Sequence, residues 1–257
     1  MSSYDISPEL DDKLKNSLKN QGQFLEDISL VYAMQTFPIL VPSQIFYFEN
    51  NGAKTLPVFT TPEDLEIFQK DLANIETKWE LRPIREILVA LMQMEIEAVA
   101  FNPKLEKDED HGNTAYFDKK DLLGFIGYYT EILNVMLDSK NMSIDKKERT
   151  YLVPLFIWKD EKEEVNRGFA NLVAKDGREF VPVFDNLNSL ALWYNEPYFS
   201  EAFKENQGQI LPITLKELRH PENGVNHFGN THGITIDPLD TSGDDYEKTV
   251  MMWDEIE

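Results

Sequence analysis

The sequence predicts an α+β protein built from two tandem repeats, each a small mixed sheet with helices packed on one face. The first observation is a motif that occurs twice. Leu-Pro-Val-Phe at 56–59 corresponds to Val-Pro-Val-Phe at 181–184, and the match continues without a gap as far as Phe68 and Trp193. The second observation is the length, since 257 residues suffice for two compact units of about 100–150 residues each.

The correspondence extends upstream and downstream if insertions are allowed. Leu-Val-Pro at 40–42 matches the same triplet at 152–154, and the strand-like segment 98–103 matches 233–238. These limits divide the chain into four parts. We expect a first repeat with an N-terminal helix at 1–103, an acidic linker at 104–117, a second repeat at 118–238 and an acidic C-terminal tail at 239–257.

Apolar residues at helical spacing predict the helices. The pattern is strongest from 118 to 136, and sparser versions occupy 10–18 and 25–32. Residues that cap helices mark the starts of others. We expect further helices after Thr61-Pro62, after Asn186, near Pro83 and after Thr214, where Glu217 completes a capping box.

β-branched and aromatic residues predict the strands. The segments 39–48 and 150–158 each contain a proline, Pro42 or Pro154. Because proline donates no backbone hydrogen bond, these residues suit an edge or a strand end better than the centre of a ladder. An Asp-Gly pair predicts the turn of a hairpin within 168–184.

Composition restricts the classes of function. The chain has no cysteine, which excludes disulfides, thiolate nucleophiles and cysteine-based zinc sites. Its start has no apolar core of signal-peptide length, and no run approaches the ~20 residues of a membrane helix. We therefore expect a soluble, cytoplasmic protein with no cofactor and no association with membranes.

The charge of the chain is strongly acidic. With 46 acidic and 25 basic residues the formal net charge is -21, which repels phosphate backbones and disfavours nucleic-acid binding. The excess acid has two interpretations. It keeps the protein soluble, or it forms a face that docks a basic protein partner.

The C-terminal tail concentrates acid around a short apolar cluster. From 237 to 257, eight acidic residues accompany one lysine. The tail is either a solvated extension or a segment that docks on a partner or folds back on its own domain. Asp244, Asp245 and Trp253 are its candidate partner-binding residues.

Three histidines are the candidate metal ligands. His220, His227 and His232 lie close in sequence and precede Asp237, which offers a His/Asp set of donors. Their spacings, i+7 and i+5, match no standard helical or turn pattern of ligands. Polar loop histidines are the simpler interpretation, and we predict no metal.

The aromatic residues of the second repeat are stronger candidates for binding. Trp158, Trp193, Tyr194, Tyr198 and Phe199 fall within it, and Trp and Tyr often anchor interfaces. Trp193 lies in the repeat register and is expected in the core. Tyr194 and Tyr198 lie at a helix end beside a proline, where we expect them to be accessible to a partner.

Motifs of enzymatic chemistry are absent from the sequence. It contains no Gly-x-Ser-x-Gly, Gly-x-Gly-x-x-Gly, phosphate loop or His-Glu-x-x-His. The many carboxylates would allow an acid/base pair of the glycosidase type, but the sequence does not show which two converge. We therefore assign no catalytic residue.

The order of these motifs resembles the SseB protein N-terminal domain family, the bacterial enhanced serine sensitivity family. The better match, 150–238, carries Tyr-Leu-Val-Pro at 151–154, Phe-Val-Pro-Val-Phe at 180–184 and Leu-Ala-Leu-Trp at 190–193. The first copy, 36–103, is a degenerate relative. The family commonly pairs this domain with a distinct C-terminal domain, whereas here the same unit occurs twice. The resemblance implies a small α/β domain without an established catalytic site, most often discussed as regulatory or as an interaction module.

These observations predict a non-enzymatic, cytoplasmic module for protein interaction or regulation. Its acidic surface would mask a basic partner protein, in an immunity-like or chaperone-like manner. The competing interpretation is a small-molecule sensor or enzyme that uses a cleft between the two repeats. Docking through an acidic face weakens steeply as ionic strength rises, whereas binding in an apolar cleft barely responds. The oligomeric state stays open.

Overall fold

The chain folds into two compact units, Met1–Thr130 and Glu131–Glu257. The structure is a computed structural model that describes residues 6–44, 46–71, 77–104, 112–240 and 247–256. Both units combine helices with strands, so the predicted α+β class is confirmed. None of the helices within the described ranges is both long enough and apolar enough to span a lipid bilayer.

The described residues of unit 1 form two sheets and five helices, the last of which continues past the unit boundary. The two-stranded sheet pairs β1 with β4, and the four-stranded sheet has the order β2-β3-β5-β6. The helices are α1 (Pro8–Lys19), α2 (Phe24–Thr36), α3 (Pro62–Asp71), α4 (Ile84–Gln93) and α5 (Lys119–Leu137). The strands are β1 (Ile39–Pro42), β2 (Phe48–Asn50), β3 (Ala53–Val58), β4 (Trp79–Arg82), β5 (Ala98–Phe101) and β6 (Ala115–Asp118).

Within residues 131–240 and 247–256, unit 2 has two four-stranded sheets, with the orders β11-β7-β8-β12 and β14-β13-β10-β9. Its helices after α5 are α6 (Ser139–Ser143), α7 (Leu187–Asn195), α8 (Pro197–Glu205) and α9 (Leu215–Arg219). Its strands are β7 (Thr150–Lys159), β8 (Val165–Phe169), β9 (Leu172–Val173), β10 (Glu179–Val183), β11 (Gln209–Thr214), β12 (Val225–His227), β13 (Gly233–Ile236) and β14 (Val250–Met252).

The strand pairings of the two units correspond. In unit 1, β3 is parallel to β5 and antiparallel to β2, and β5 is antiparallel to β6. In unit 2, β10 is parallel to β13 and antiparallel to β9, and β13 is antiparallel to β14. The registers also agree, because Pro57 faces Ala100 and Pro182 faces Thr235. This is the arrangement that two tandem copies require, while duplication itself stays a prediction.

The helix starts agree with the capping residues in the sequence. Thr61 Oγ1 accepts a hydrogen bond from the backbone N–H of Asp64 at the start of α3. Asn186 Oδ1 accepts one from Ser189 at the start of α7. Thr214 caps α9 in the same way. Each cap satisfies one of the backbone donors that the first helical turn leaves free.

The prolines occupy positions where no backbone donor is needed. Pro42 ends β1, as predicted. Pro154 differs from the prediction, because it lies inside β7, which has neighbours on both sides. Leu152 exchanges both backbone hydrogen bonds with Phe184, and β8 begins to pair with β7 only at Leu155. Pro154 therefore lies where the neighbour on that side changes, so its missing N–H costs no ladder bond.

The predicted linker and tail both contribute a strand. The linker was expected at 104–117, but residues 115–118 form β6 and pair with β5. The tail is expected at 239–257, and the structure agrees with the interpretation that it folds back on its own domain, because β14 pairs with β13 and Ile256 is buried in the unit 2 core. The physical reason is the same in both cases, because an added antiparallel strand satisfies the edge of a sheet that would otherwise stay open.

The predicted hairpin around the Asp-Gly pair is present in a shorter form. β9 and β10 are antiparallel, and Gly177 between them has φ 88°. Gly168 belongs instead to β8, the partner of β7. The charged segment 160–164 makes the connection between those two strands.

The cores combine residues of the strand motifs with residues of the neighbouring helices. In unit 1, Phe59 packs edge-on against Trp79 with ring centroids 5.2 Å apart. In unit 2, Trp193 is 1% exposed and lies between Phe184 and Phe203. The prediction that Trp193 belongs to the core is confirmed.

Gly233 allows β14 to approach β13, and this contact gives a first test of the fold. A Cβ at Gly233 would lie 2.1 Å from the backbone oxygen of Met251. We expect Gly233→Ala to lower the free energy of unfolding by about 2 kcal/mol or more, since the backbone of β14 must shift.

The control is Gly124→Ala in α5, where a Cβ meets nothing within 4 Å. Helix propensity predicts that this variant gains up to ~1 kcal/mol. Equal effects in urea denaturation would contradict the strand pairing.

Candidate functional site

The two tyrosines predicted to bind a partner have opposite environments. Tyr198 is 88% exposed at the start of α8, immediately after Pro197. Tyr194 is only 4% exposed, so the prediction that it is accessible is wrong. Its backbone oxygen accepts a hydrogen bond from Ser200 Oγ at 2.7 Å, and Lys204 Nζ lies 4.1 Å from its ring centroid. The return of α8 over the end of α7 covers this ring.

Tyr198 belongs to an exposed apolar surface at the corner between α7 and α8. Leu192 is 54% exposed, and the Tyr198 ring packs edge-on against Phe199 with centroids 5.1 Å apart. These three residues, with Glu196 and Leu239, line an open groove of about 400 Å³. We call Leu192, Tyr198, Phe199 and Leu239 the corner patch. Leu192 lies on α7 and Tyr198 and Phe199 lie on α8, whereas Leu239 lies in the turn that follows β13.

Of the three C-terminal candidates, the structure describes only Trp253. Asp244 and Asp245 lie outside the described residues. Trp253 packs on Phe228 with ring centroids 4.5 Å apart, and its Nε1 donates to the backbone oxygen of Thr231 at 3.0 Å. Trp253 is thus engaged within unit 2, where it secures the strand β14 that precedes it.

The three candidate metal ligands have separate partners. His227 Nε2 lies 2.7 Å from Asn166 Oδ1, and its ring stacks on Trp158. The backbone N–H of His232 donates to Glu179, and the exposed His220 follows α9. Within the described ranges no three His, Asp or Glu side chains are grouped so as to hold a metal ion.

A group of carboxylates lies where β10 and β13 end. Asp237 has φ 48°, and its Oδ1 accepts a hydrogen bond from the backbone N–H of Asp185 at 3.2 Å. Asp185 Oδ2 lies 3.2 Å from Arg149 Nη1. Burial, followed by the neighbouring Asp185 carboxyl, raises the pKa of Asp237 to about 8. Asp237 therefore holds its proton at neutral pH.

The corresponding place in unit 1 contains a buried polar cluster centred on Asp11. Asp11 is 5% exposed and its Oδ1 accepts hydrogen bonds from Thr60 Oγ1 at 2.7 Å and Asn113 Nδ2 at 2.8 Å. Its Oδ2 lies 2.7 Å from Lys15 Nζ. Burial alone would raise the pKa of Asp11, but the hydrogen bonds from Lys15, Asn113 and Thr60 outweigh it and leave the pKa lowered.

Asn102 and Asp237 perform the same task in the two units. Asn102 has φ 45° and accepts a hydrogen bond from the backbone N–H of Thr60, as Asp237 does from that of Asp185. Because an amide does in unit 1 what a carboxyl does in unit 2, the position requires a hydrogen-bond acceptor rather than an acid. Asp237, which the sequence suggested only as a possible metal donor, and Asp185, which it did not suggest, therefore have a structural role.

Unit 1 also contains a cavity of about 500 Å³ between the end of α2, the start of α4 and α5. Its lining is largely apolar, and Gln35 Nε2 donates to Thr130 Oγ1 at 2.6 Å beside it. Arg85, at its edge, makes no hydrogen bond or ion pair with the described residues. The volume falls within the usual range of small-molecule sites.

The fold and these surfaces define an α+β protein of two compact units with exposed aromatic residues. No protein-family model matches the chain, and no curated protein matches it. Among solved structures it is similar to Tic22 from Plasmodium falciparum, at 13% sequence identity and a TM-score of 0.21. That match covers 79% of this chain and 91% of the other. A TM-score this low supports no inference about fold or function.

Proposed function

We propose that the protein is a non-enzymatic interaction module that binds and masks a basic protein partner. The observation that carries this proposal is the corner patch, where Tyr198 is 88% exposed beside a half-exposed Leu192. Tyrosine is among the residues that most often dominate binding energy, because it buries a large area at low entropic cost. The SseB-like motifs support the same class of function, and the absence of cysteine supports a cytoplasmic location.

The charge of both units supports a basic partner. Residues 1–130 include 22 acidic and 12 basic residues, and residues 131–257 include 24 and 13. The acidic excess is thus spread over the whole protein rather than confined to the C-terminal segment. Such a field accelerates encounter with a cationic protein and repels an anionic one.

Tyr198→Ala tests the proposal. We expect wild-type protein to capture a stoichiometric basic protein from lysate of the source cells at low salt and to lose it at high salt. With that protein purified, Tyr198→Ala should weaken binding by about 30-fold, the loss typical of an interface anchor. Titration calorimetry measures the change.

The matched control is Tyr32→Ala, which removes a half-exposed tyrosine of unit 1. We expect it to bind as wild type does. Equal affinity of wild type and Tyr198→Ala would remove the corner patch from the interface. Capture of no basic protein at either salt concentration would contradict the proposed function, and would favour a small-molecule sensor that uses the cavity beside Arg85.

A further inference from the structure

The sheet β11-β7-β8-β12 carries an aromatic residue on an exposed face. Trp158 in β7 faces Asn166 in β8, and Gly168 in β8 faces His227 in β12. Residues that face each other in neighbouring strands lie on the same side of a sheet, as do residues two apart along one strand. These four residues therefore share one face of the sheet.

One side of the Trp158 indole is supported by the sheet. A Cβ at Gly168 would lie 3.2 Å from the indole ring, so the ring rests on this glycine. The ring also stacks on His227, with centroids 5.5 Å apart and planes inclined by 23°. His227 is held in turn by Asn166, whose Oδ1 lies 2.7 Å from Nε2. The indole thus has a fixed orientation, yet Trp158 remains 45% exposed.

The need to cover Gly168 explains why the indole contacts the sheet, but it does not explain why so much of the ring is exposed. Aromatic residues often protect a strand glycine, and this contact alone gives no reason for a large exposed ring. With both contacts in place, Trp158 is still 45% exposed. An indole face is also the best aromatic partner for a cation, because its quadrupole places negative potential above the ring.

The segment next to Trp158 adds negative charge. Residues 160–164 include four acidic residues and Lys162. Asp160 Oδ1 accepts hydrogen bonds from the backbone N–H groups of Lys162 and Glu164 at 2.8 and 2.9 Å, which fixes the turn. The carboxylates of Glu161 and Glu164 form no ion pair with the described residues. Carboxylates in the turn that follows a strand with an exposed indole match the chemistry of a guanidinium group, which stacks on rings and pairs with carboxylates.

We propose that Trp158, together with Glu161 and Glu164, binds an arginine side chain of a protein partner. The guanidinium stacks on the outer face of the indole, and the carboxylates neutralise its charge. The inference deepens the proposed function in one respect, because it rests on the partner being basic. It places the cationic contact on β7 and the turn that joins β7 to β8.

Fluorine NMR of the full chain labelled with 5-fluorotryptophan tests this proposal. The four tryptophan signals are assigned with single Trp→Phe variants, and hexa-arginine is titrated at low salt. We expect the Trp158 signal to shift most. Trp158→Leu should weaken hexa-arginine binding by about three- to fivefold, and Glu164→Gln should both weaken it and reduce its salt dependence. Hexa-citrulline, whose side chains have nearly the shape of arginine but no charge, should not bind.

The controls separate this site from general attraction to an acidic protein. Glu205→Gln removes an exposed carboxylate from α8, and Val173→Ala removes an exposed apolar group from β9. Both should bind hexa-arginine as wild type does. A Trp158 signal that does not move, or equal affinities of wild type and Trp158→Leu, would overturn the proposal. So would tight binding of hexa-citrulline.

The two proposals can fail independently. The proposed function fails if no basic protein is captured from lysate, whatever hexa-arginine does. The arginine site fails if hexa-arginine does not shift the Trp158 signal, even when a partner is captured through Tyr198. Because Trp158 is 45% exposed, we expect Trp158→Leu to remain folded, and thermal unfolding of the variant verifies this.

Discussion

Asp11→Ala should lower the free energy of unfolding by about 3 kcal/mol. The substitution removes the shared acceptor of Thr60 and Asn113, both of which are buried. A buried donor without a partner costs about 1–3 kcal/mol, and the variant leaves more than one. Asp11 also links α1 to the ends of β3 and β5, so a large part of unit 1 depends on it. Urea denaturation followed by circular dichroism measures the loss.

The adjacent residue provides the control. Asp12 is exposed, and we expect Asp12→Ala to change stability by no more than about 0.5 kcal/mol. Because the pKa of Asp11 is lowered in the folded protein, its ionised form contributes stability above the unfolded pKa near 3.8. That contribution disappears as the pH falls through the folded pKa. Asp11→Asn should therefore approach wild type in strongly acidic solution, and equal losses from the two Ala variants would refute the buried cluster.

Asp237→Asn should stabilise the protein, which is the opposite effect. The folded pKa of Asp237 is about 8, well above the ordinary value of 3.8, so the folded state favours the protonated carboxyl. Between pH 4 and pH 8 the unfolded chain releases this proton and the folded protein retains it. The unfolded state therefore gains relative stability as the pH rises through that interval. We expect the free energy of unfolding of the asparagine variant to exceed that of wild type by about 2 kcal/mol at pH 8.

The pH profile distinguishes this explanation from a general effect of removing charge. The difference between Asp237→Asn and wild type should be small near pH 4, grow until about pH 8 and then level off. Asp185→Asn is the comparison, because it breaks the ion pair with Arg149 and should destabilise the protein. Asn102 shows that an amide fits the corresponding position of unit 1. A constant difference across pH 4–8 would contradict the raised pKa of Asp237.

Much of the fold could be predicted because its signals are local. The helix α5 has apolar residues at regular helical spacing. Thr61 and Asn186 are residue types that cap helices, so they predict the starts of α3 and α7. The parallel pairing of β3 with β5 has no such signal, because a helix-containing connection separates the two strands. The added strands β6 and β14 were missed for a related reason. Their acidic and polar surroundings resemble a linker, and only the open edge of a folded sheet explains their pairing.

The candidate residues show the same division between local and tertiary information. A position next to Pro197 was sufficient to predict that Tyr198 is exposed. The burial of Tyr194 depends on Lys204 and the return of α8, which a pattern of single residues does not reveal. Asp11 and Asn113 were missed because their hydrogen bond joins residues 102 positions apart. Trp158 was recognised as a candidate, but its stacking on His227 required the register of β8 and β12.

The prolines that mark a change of neighbour also affect how the chain behaves before it folds. Pro57 lies between the pairing of Thr55 with β2 and that of Phe59 with Leu40, and Pro182 occupies the same place in unit 2. An apolar Val-Phe strand without such a residue would offer an unbroken row of donors to another chain. A proline removes one donor from the middle of that row, so an intermolecular ladder cannot extend along it. We therefore expect Pro57 and Pro182 to lower the tendency of these two apolar segments to aggregate.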